Sequence, residues 1–189
     1  MSWITRIAPE GAPAALKAIF DKIRARSASQ QVAYLWQSWG SHPEGLEAAY
    51  MHYQVLVKDP APLSAAQVEL IALVVSATNG CAYCVAHHGP KLARLIGDDL
   101  AHAVAKDYRD ANIAARDRVL LDAAVALTCE PSERKQEDIE RMREYGFDDA
   151  AILKATEITA YYNFVNRVAN GIGVTIEPRL EHWEFGAQK

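Results

Sequence analysis

Apolar residues recur along most of this chain at the three- and four-residue spacing of one helix face. In AALKAIFDKIRAR, Leu16, Ile19, Phe20 and Ile23 fall on one side. Pro13 before them suits a first helical position, where its missing N–H would be unpaired anyway. Residues 1–12 read as an extended lead-in. The aromatic-rich stretch SQQVAYLWQSWG follows, and its Tyr34, Leu35, Trp36 and Trp39 read as core before pocket, because aromatic rings bury the most surface. A helix opens near Pro43 and runs through GLEAAYMHYQVLV to the turn-rich break DPAPL. Ser64 and Gln67 have the spacing of a capping box, which starts a helix over residues 65–79 that Asn79-Gly80 ends. A second helix opens at Cys81 and reaches Ile96 before Gly97. Pro90 inside it predicts a kink or a break, since proline removes a hydrogen bond and clashes with the preceding turn.

The second half continues the pattern. Asp98-Asp99 is an acidic start for LAHAVAKDY, and a helix over residues 113–128 carries Val119, Leu120, Ala123, Ala124 and Leu127 as its apolar stripe. ERKQEDIERMREY reads as a solvated surface helix with Ile139 and Met142 facing in. Asp148-Asp149 starts a long helix, AAILKATEITAYYNFVNRVANGIG. The tail, residues 174–189, has no helical period, and its Trp183 and Phe185 predict an arm that docks on this subunit or a neighbour. Strand alternation is lacking, and without alternating strands and helices a CxxC pair does not imply a thioredoxin fold. The expectation is one all-α domain over residues 1–189, with eight or nine helices and a helical hairpin at residues 64–96.

Composition narrows the function classes. Half of the residues are hydrophobic and 23% are charged, which is ordinary for a soluble globular protein. A net charge of −4 argues against nucleic acid as a partner, for which a basic footprint is expected. No apolar run approaches the roughly 20 residues of a membrane span. MSWITRIAPEG lacks the layout of a signal peptide, so a cytoplasmic location is expected. Three cysteines are too few for a disulfide framework in a chain this long. In a reducing compartment, Cys81-x-x-Cys84 reads as catalytic or metal-binding.

The hairpin carries the candidate chemistry. In a regular helix, Cβ atoms at i and i+3 stand about 5–6 Å apart, whereas a disulfide needs about 3.5–4.5 Å. The pair can therefore close only in a first helical turn, and Gly80 just before Cys81 supplies that setting. The free N–H groups of such a turn favour a thiolate. Glu69 is an acid within an apolar run, and its neighbours Ala72, Leu73 and Ser76 give it no charged partner, so it reads as a partly buried carboxylate. It lies about 16 Å along the helix axis from the turn, and an antiparallel return brings residues near 88–91 to its level. That includes His88, which stands four residues after Cys84 on the same helix face. The geometry predicts a chain in which Glu69 orients His88 and His88 deprotonates Cys84. Cys81 is nearer the cap, but a specific base outweighs a dipole worth about 0.3–1 kcal/mol, so Cys84 is expected to attack. Cys81 would then resolve a Cys84 sulfenic acid into a disulfide.

With Glu69, eleven residues, Cys81, two residues, Cys84, three residues and His88, the sequence resembles the AhpD-like alkylhydroperoxidases of the wider carboxymuconolactone decarboxylase family. LSAAQVELIALVVSATNGCAYC and YYNFVNRVANGIGV also resemble its peroxidase-related branch, and the likeness spans residues 10–178. The resemblance implies an all-helical fold, homo-oligomers (trimers, or hexamers built from dimers) and peroxide reduction without a cofactor. A hydroperoxide would be the substrate and a thiol or dithiol the reductant. It also implies Cys84 as the peroxidatic thiol, Cys81 as the resolving one, and Glu69 and His88 as the proton relay. Tyr83 stands where the family pattern places a histidine between the cysteines, and a phenol does not replace an imidazole as a base near neutral pH.

Other readings remain beside this one. The same residues would serve a thiol–disulfide oxidoreductase or redox sensor without peroxide turnover, or a structural hairpin in a non-catalytic oligomer. Cysteines with His87 or His88 suit zinc, but the usual second ligand pair downstream is missing. His87 points about 100° away from His88 on a helix and reads as a surface residue or one behind the site. Cys129 reads as a bystander thiol. Asn163, Asn166 and Arg167 share a face that lines a pocket, an oligomer interface or plain helix surface. Tyr161 and Tyr162 read as core or interface.

Overall fold

The computed structural model describes residues 2–27, 29–186 and 188. Among the described residues there are nine α-helices and no strand, so the protein is all-α. They are α1 Ala14–Ala25, α2 Tyr34–Ser38, α3 Pro43–Tyr53, α4 Ala65–Thr78, α5 Ala82–Ile96, α6 Asp98–Asp107, α7 Ala115–Cys129, α8 Gln136–Glu144 and α9 Asp149–Gly171. None of them is long and apolar enough to cross a membrane.

Helix α4 is the axis of the molecule. Every residue from Leu70 to Thr78 is buried, the condition of a helix that is apolar all round. It packs against α5, α6, α7 and α9. Ser64 caps it: the Gln67 N–H donates to the Ser64 hydroxyl, and the Ser64 N–H donates to the Gln67 side chain. Leu16, Ile19, Phe20 and Ile23 of α1 pack on Leu46 and Tyr50 of α3 in a second, smaller core. Trp36, Trp39 and Tyr53 touch both cores. Met142 of α8 is buried and Ile139 is partly so, which leaves the charged face of that helix to solvent. On α7, Val119, Leu120 and Ala124 are buried, while Ala123 and Leu127 are only half-covered.

Three local expectations are corrected. Pro13 is the cap residue of α1 and does not sit inside it. After Tyr53 the chain widens into a π-helical turn, Gln54–Lys58, before the break. Of the kink or break expected at Pro90, the break is absent, since α5 is continuous through it. A proline also disfavours a helical conformation in the residue before it, through its ring and that residue's Cβ, and here that residue is Gly89, which has no Cβ. The tail explains why that glycine has no room for one: a Cβ on it would lie 2.5 Å from the Trp183 ring.

The tail docks on its own chain. Trp183 stacks on His102 of α6, with centroids 3.9 Å apart. The Gly186 N–H donates to Ala105 O, and the Gln188 amide donates to Val104 O and Ala105 O at the end of the same helix.

Candidate active site

The turn between α4 and α5 is clamped from behind by α9. Gly80 adopts φ +64°, a conformation glycine enters without cost. The Cys81 N–H donates to Ser76 O at 2.9 Å. The Asn79 amide donates to the Oδ1 atoms of Asn163 and Asn166, both at 3.0 Å, and the Asn170 amide donates to Asn79 O at 3.1 Å. Asn166 is fully buried and donates to Ser76 Oγ. The polar face of Asn163 and Asn166 is thus a ladder that fixes the hairpin turn, while Arg167 bonds back to Asn163.

Cys81, the expected first residue of α5, is its cap residue instead, and the helix starts one position later at Ala82; the Cys81 sulfur accepts the Cys84 N–H at 3.4 Å. Both cysteines are free thiols and buried, Cys81 at 0% exposure and Cys84 at 3%. Only Cys84 borders the cavity described below. The Cys84 side chain lowers the Cys81 thiol below its ordinary range against the opposing effect of burial, helped by the Cys84 N–H and Asn166. Burial pushes the Cys84 thiol well up, and its hydrogen bond to Cys81 adds to this. In the resting pair the negative charge therefore favours Cys81, and Cys84 needs a base before it can attack.

A base stands one turn along α5. The structure brings His88 and Glu69 together, with Nδ1 and Oε2 2.6 Å apart. Burial and the Lys91 ammonium lower His88 to about 4, against the raising effect of Glu69, so the imidazole is neutral near pH 7. Burial raises the Glu69 carboxyl, but His88, Lys91 and Lys58 more than offset it and hold Glu69 as a carboxylate. A neutral imidazole donating Nδ1–H to a carboxylate keeps Nε2 as its basic nitrogen. The Tyr162 ring meets the imidazole edge-on at 4.8 Å.

A second histidine–carboxylate pair was not expected. His87 Nε2 lies 2.9 Å from Glu177 Oε2, and the Tyr83 hydroxyl lies 3.2 Å from Glu177 Oε1. Oε1 also accepts the Tyr34 N–H at 2.8 Å, and the Leu35 N–H donates to the Tyr83 oxygen. Glu177 is 4% exposed, and its partners, His87 foremost, hold its carboxyl below the ordinary range against burial. The tail therefore fixes Tyr83 and His87 on one wall of the site, and His87 is not a surface residue. Nothing in an aperiodic tail marked Glu177.

These groups share a cavity of about 610 Å³ that opens to solvent. Cys84, His88, His87 and Tyr83 lie on it. So do Leu35, Trp36, Tyr161 and Tyr162, which serve as pocket walls as well as core. Cys129 ends α7, exposed, and does not line it. Among the described residues, no group of three or more His, Cys, Asp or Glu side chains is arranged to hold a metal ion.

Known proteins share this fold. The profile of the carboxymuconolactone decarboxylase family matches residues 43–97, which include the hairpin. A peroxidase-related protein of Silicibacter sp. TM1040 is similar at 30% identity and a TM-score of 0.80, over 88% of this chain and 86% of that one. An uncharacterised peroxidase-related protein of Ralstonia eutropha JMP134, described as an alkylhydroperoxidase AhpD core, is similar at 27% identity and a TM-score of 0.83, over 94% and 93%. The debrominase Bmp8 shares the fold at 19% identity and a TM-score of 0.77, over 93% and 92%. No curated protein matches the sequence significantly.

Proposed function

We propose that this chain, which belongs to the AhpD-like, peroxidase-related group of the carboxymuconolactone decarboxylase family, reduces hydroperoxides through Cys84 and Cys81. The observation that carries the reading is the 2.6 Å bond between Glu69 and a neutral His88, one turn beyond a protonated Cys84 on the wall of a cavity.

Each step follows from the setting of a residue. Glu69 accepts Nδ1–H and leaves His88 Nε2 to take the thiol proton of Cys84. The Cys84 thiolate attacks the terminal oxygen of ROOH. The O–O bond breaks, its electron pair leaves with RO⁻, and the proton held on His88 converts this to ROH. Cys84 is left as a sulfenic acid. Cys81, already biased toward thiolate by its neighbours, attacks the Cys84 sulfur. The S–S bond forms, the S–O bond breaks, and hydroxide leaves to be protonated to water. An external thiol or dithiol then returns two electrons to the disulfide. No cofactor takes part. His87 and Tyr83, held by Glu177, form the facing wall, where the family pattern has one histidine between the cysteines. The active form is a homo-oligomer in the cytoplasm.

The test is stoichiometric. The dithiol protein, mixed with excess cumene hydroperoxide and no reductant, should form one alcohol and one disulfide per chain in a single exponential phase. Exchange with a dithiol but no reaction with peroxide would replace this function with disulfide exchange.

A further inference from the structure

The cavity in front of Cys84 has a charge pattern that Glu69, which Lys91 and Lys58 influence, explains only in part. Five cationic side chains line it, Arg26, Lys58, Lys91, Arg94 and Arg179, and among its lining residues there is no Asp or Glu. They come from three separate regions of the chain: the end of α1, the stretch from the π turn to α5, and the tail. The chain as a whole has a net charge of −4, so a basic surface is not its default. Lys91 lies 4.0 Å from Glu69. Among the described residues, no salt bridge involves Arg26, Lys58, Arg94 or Arg179. Like charges gathered at one mouth repel each other, and low-dielectric walls focus their field on whatever enters.

Inside this rim the walls are aromatic. Trp36, Tyr50, Tyr53 and Tyr161 face the same space, and Lys58 and Lys91 sit 5.9 and 6.0 Å from the Tyr53 ring. A volume of about 610 Å³ is far more than hydrogen peroxide fills and falls in the usual range for small organic ligands. Cys84 and His88 lie on the buried side, and Arg26, Lys58, Arg94 and Arg179 are exposed.

The geometry points to an anionic organic hydroperoxide as the substrate, with an apolar or aromatic body against the ring walls and a carboxylate or similar group at the cationic rim. This rests on the peroxidase reading above and specifies its substrate. The chemistry is unchanged: Cys84 takes the terminal oxygen, the O–O bond breaks, and the product is the hydroxy acid with its carboxylate intact. The rim acts on capture and orientation, because electrostatic complementarity sets encounter rate and register more than the bond-breaking step.

The experiment uses the reduced full chain and two probes of matched body, 4-carboxycumene hydroperoxide and its methyl ester, followed by stopped-flow tryptophan fluorescence without reductant. The acid should react at least about tenfold faster than the ester at about 0.02 M ionic strength, and the two rates should converge near about 0.5 M salt. Arg94→Glu and Arg179→Glu should each shrink the acid-to-ester ratio. Arg141→Glu, an equal charge change on α8 away from the cavity, should leave it alone. Equal rates with no salt dependence overturn the inference and leave the peroxidase function standing. If neither probe reacts, the peroxidase function fails. Calorimetric binding of the corresponding hydroxy acid and its ester to the same protein then decides: tighter acid binding, by about tenfold, supports an anion-selective cavity, and equal binding overturns it.

Discussion

Acid should loosen this protein through a group that the proposed relay uses. His88 is lowered to about 4 in the folded chain, chiefly by burial, and its side chain is only 8% exposed. In the unfolded chain it titrates near the ordinary value of about 6.5. Between those values the unfolded chain binds a proton that the folded one refuses. The stabilisation is fully present above about 6.5 and is lost as pH falls toward 4. A shift of about 2.5 units at about 1.36 kcal/mol each gives about 3 kcal/mol, and one proton gives a slope of about 1.4 kcal/mol per pH unit within the window. Glu69, lowered in the fold, adds a loss of the same sign at lower pH as the carboxylate protonates. The assay is urea denaturation followed by far-ultraviolet circular dichroism from pH 7.5 to 4.5, on the wild type and His88→Gln. The wild-type curve should fall more than the variant's by about 2.5 kcal/mol between pH 7.5 and 4.5. Parallel curves would mean that burial does not lower His88, and a wild type that gains stability relative to the variant as pH falls from 7 to 6 would mean that His88 is charged in the native state. A charged imidazole is no base for Cys84, and the relay would be refuted.

Three other outcomes follow. Glu69→Gln should slow oxidation of Cys84 by about 10²–10³-fold, within the range of general-base contributions; a loss of less than about threefold in stopped-flow rates would show that His88 acts without it. Gly89→Ala places a methyl 2.5 Å from the Trp183 ring, and should cost about 1–3 kcal/mol as an overpacked core does, read by urea midpoint together with a shift in tryptophan emission; an unchanged midpoint refutes the close docking of the tail. Glu177→Ala removes the partner of His87, Tyr83 and the Tyr34 amide, and should cost about 1–3 kcal/mol and open the tail to limited proteolysis. Unchanged protease resistance would show that the tail is held without Glu177.

What the sequence revealed and what it hid divide along physical lines. Helical periodicity is local, so the inward faces of α1 and α7 and the capping box at Ser64 were legible. The pairing of Glu69 with His88 was also legible, because two helices joined at a tight turn leave register as simple counting along the axis. Glu177 was not. It lies in an aperiodic tail, 90 residues from His87, among 24 acidic residues with nothing to distinguish it. His87 was misplaced for the same reason, since the wall that makes it part of the site comes from that tail. At Pro90 a kink or a break is expected from the missing N–H and the crowded preceding turn, and α5 runs on without a break, with Gly89 before the proline lacking the Cβ that would add to the crowding. Asn163 and Asn166 were seen as one polar face, but only the packing of α9 behind the turn shows that the face holds Asn79 and Ser76. The cavity lies between two cores that periodicity describes only separately, so Leu35, Trp36 and the tyrosines read as core.

The most direct test of the account separates the two sulfurs. Reduced Cys81→Ser, exposed to one equivalent of cumene hydroperoxide and trapped with dimedone, should carry a single adduct on Cys84 by peptide mass mapping, with alcohol released at near the wild-type initial rate. Cys84→Ser should release none. An adduct on Cys81, or wild-type alcohol release from Cys84→Ser, would contradict the assignment of Cys84 as the attacking thiol.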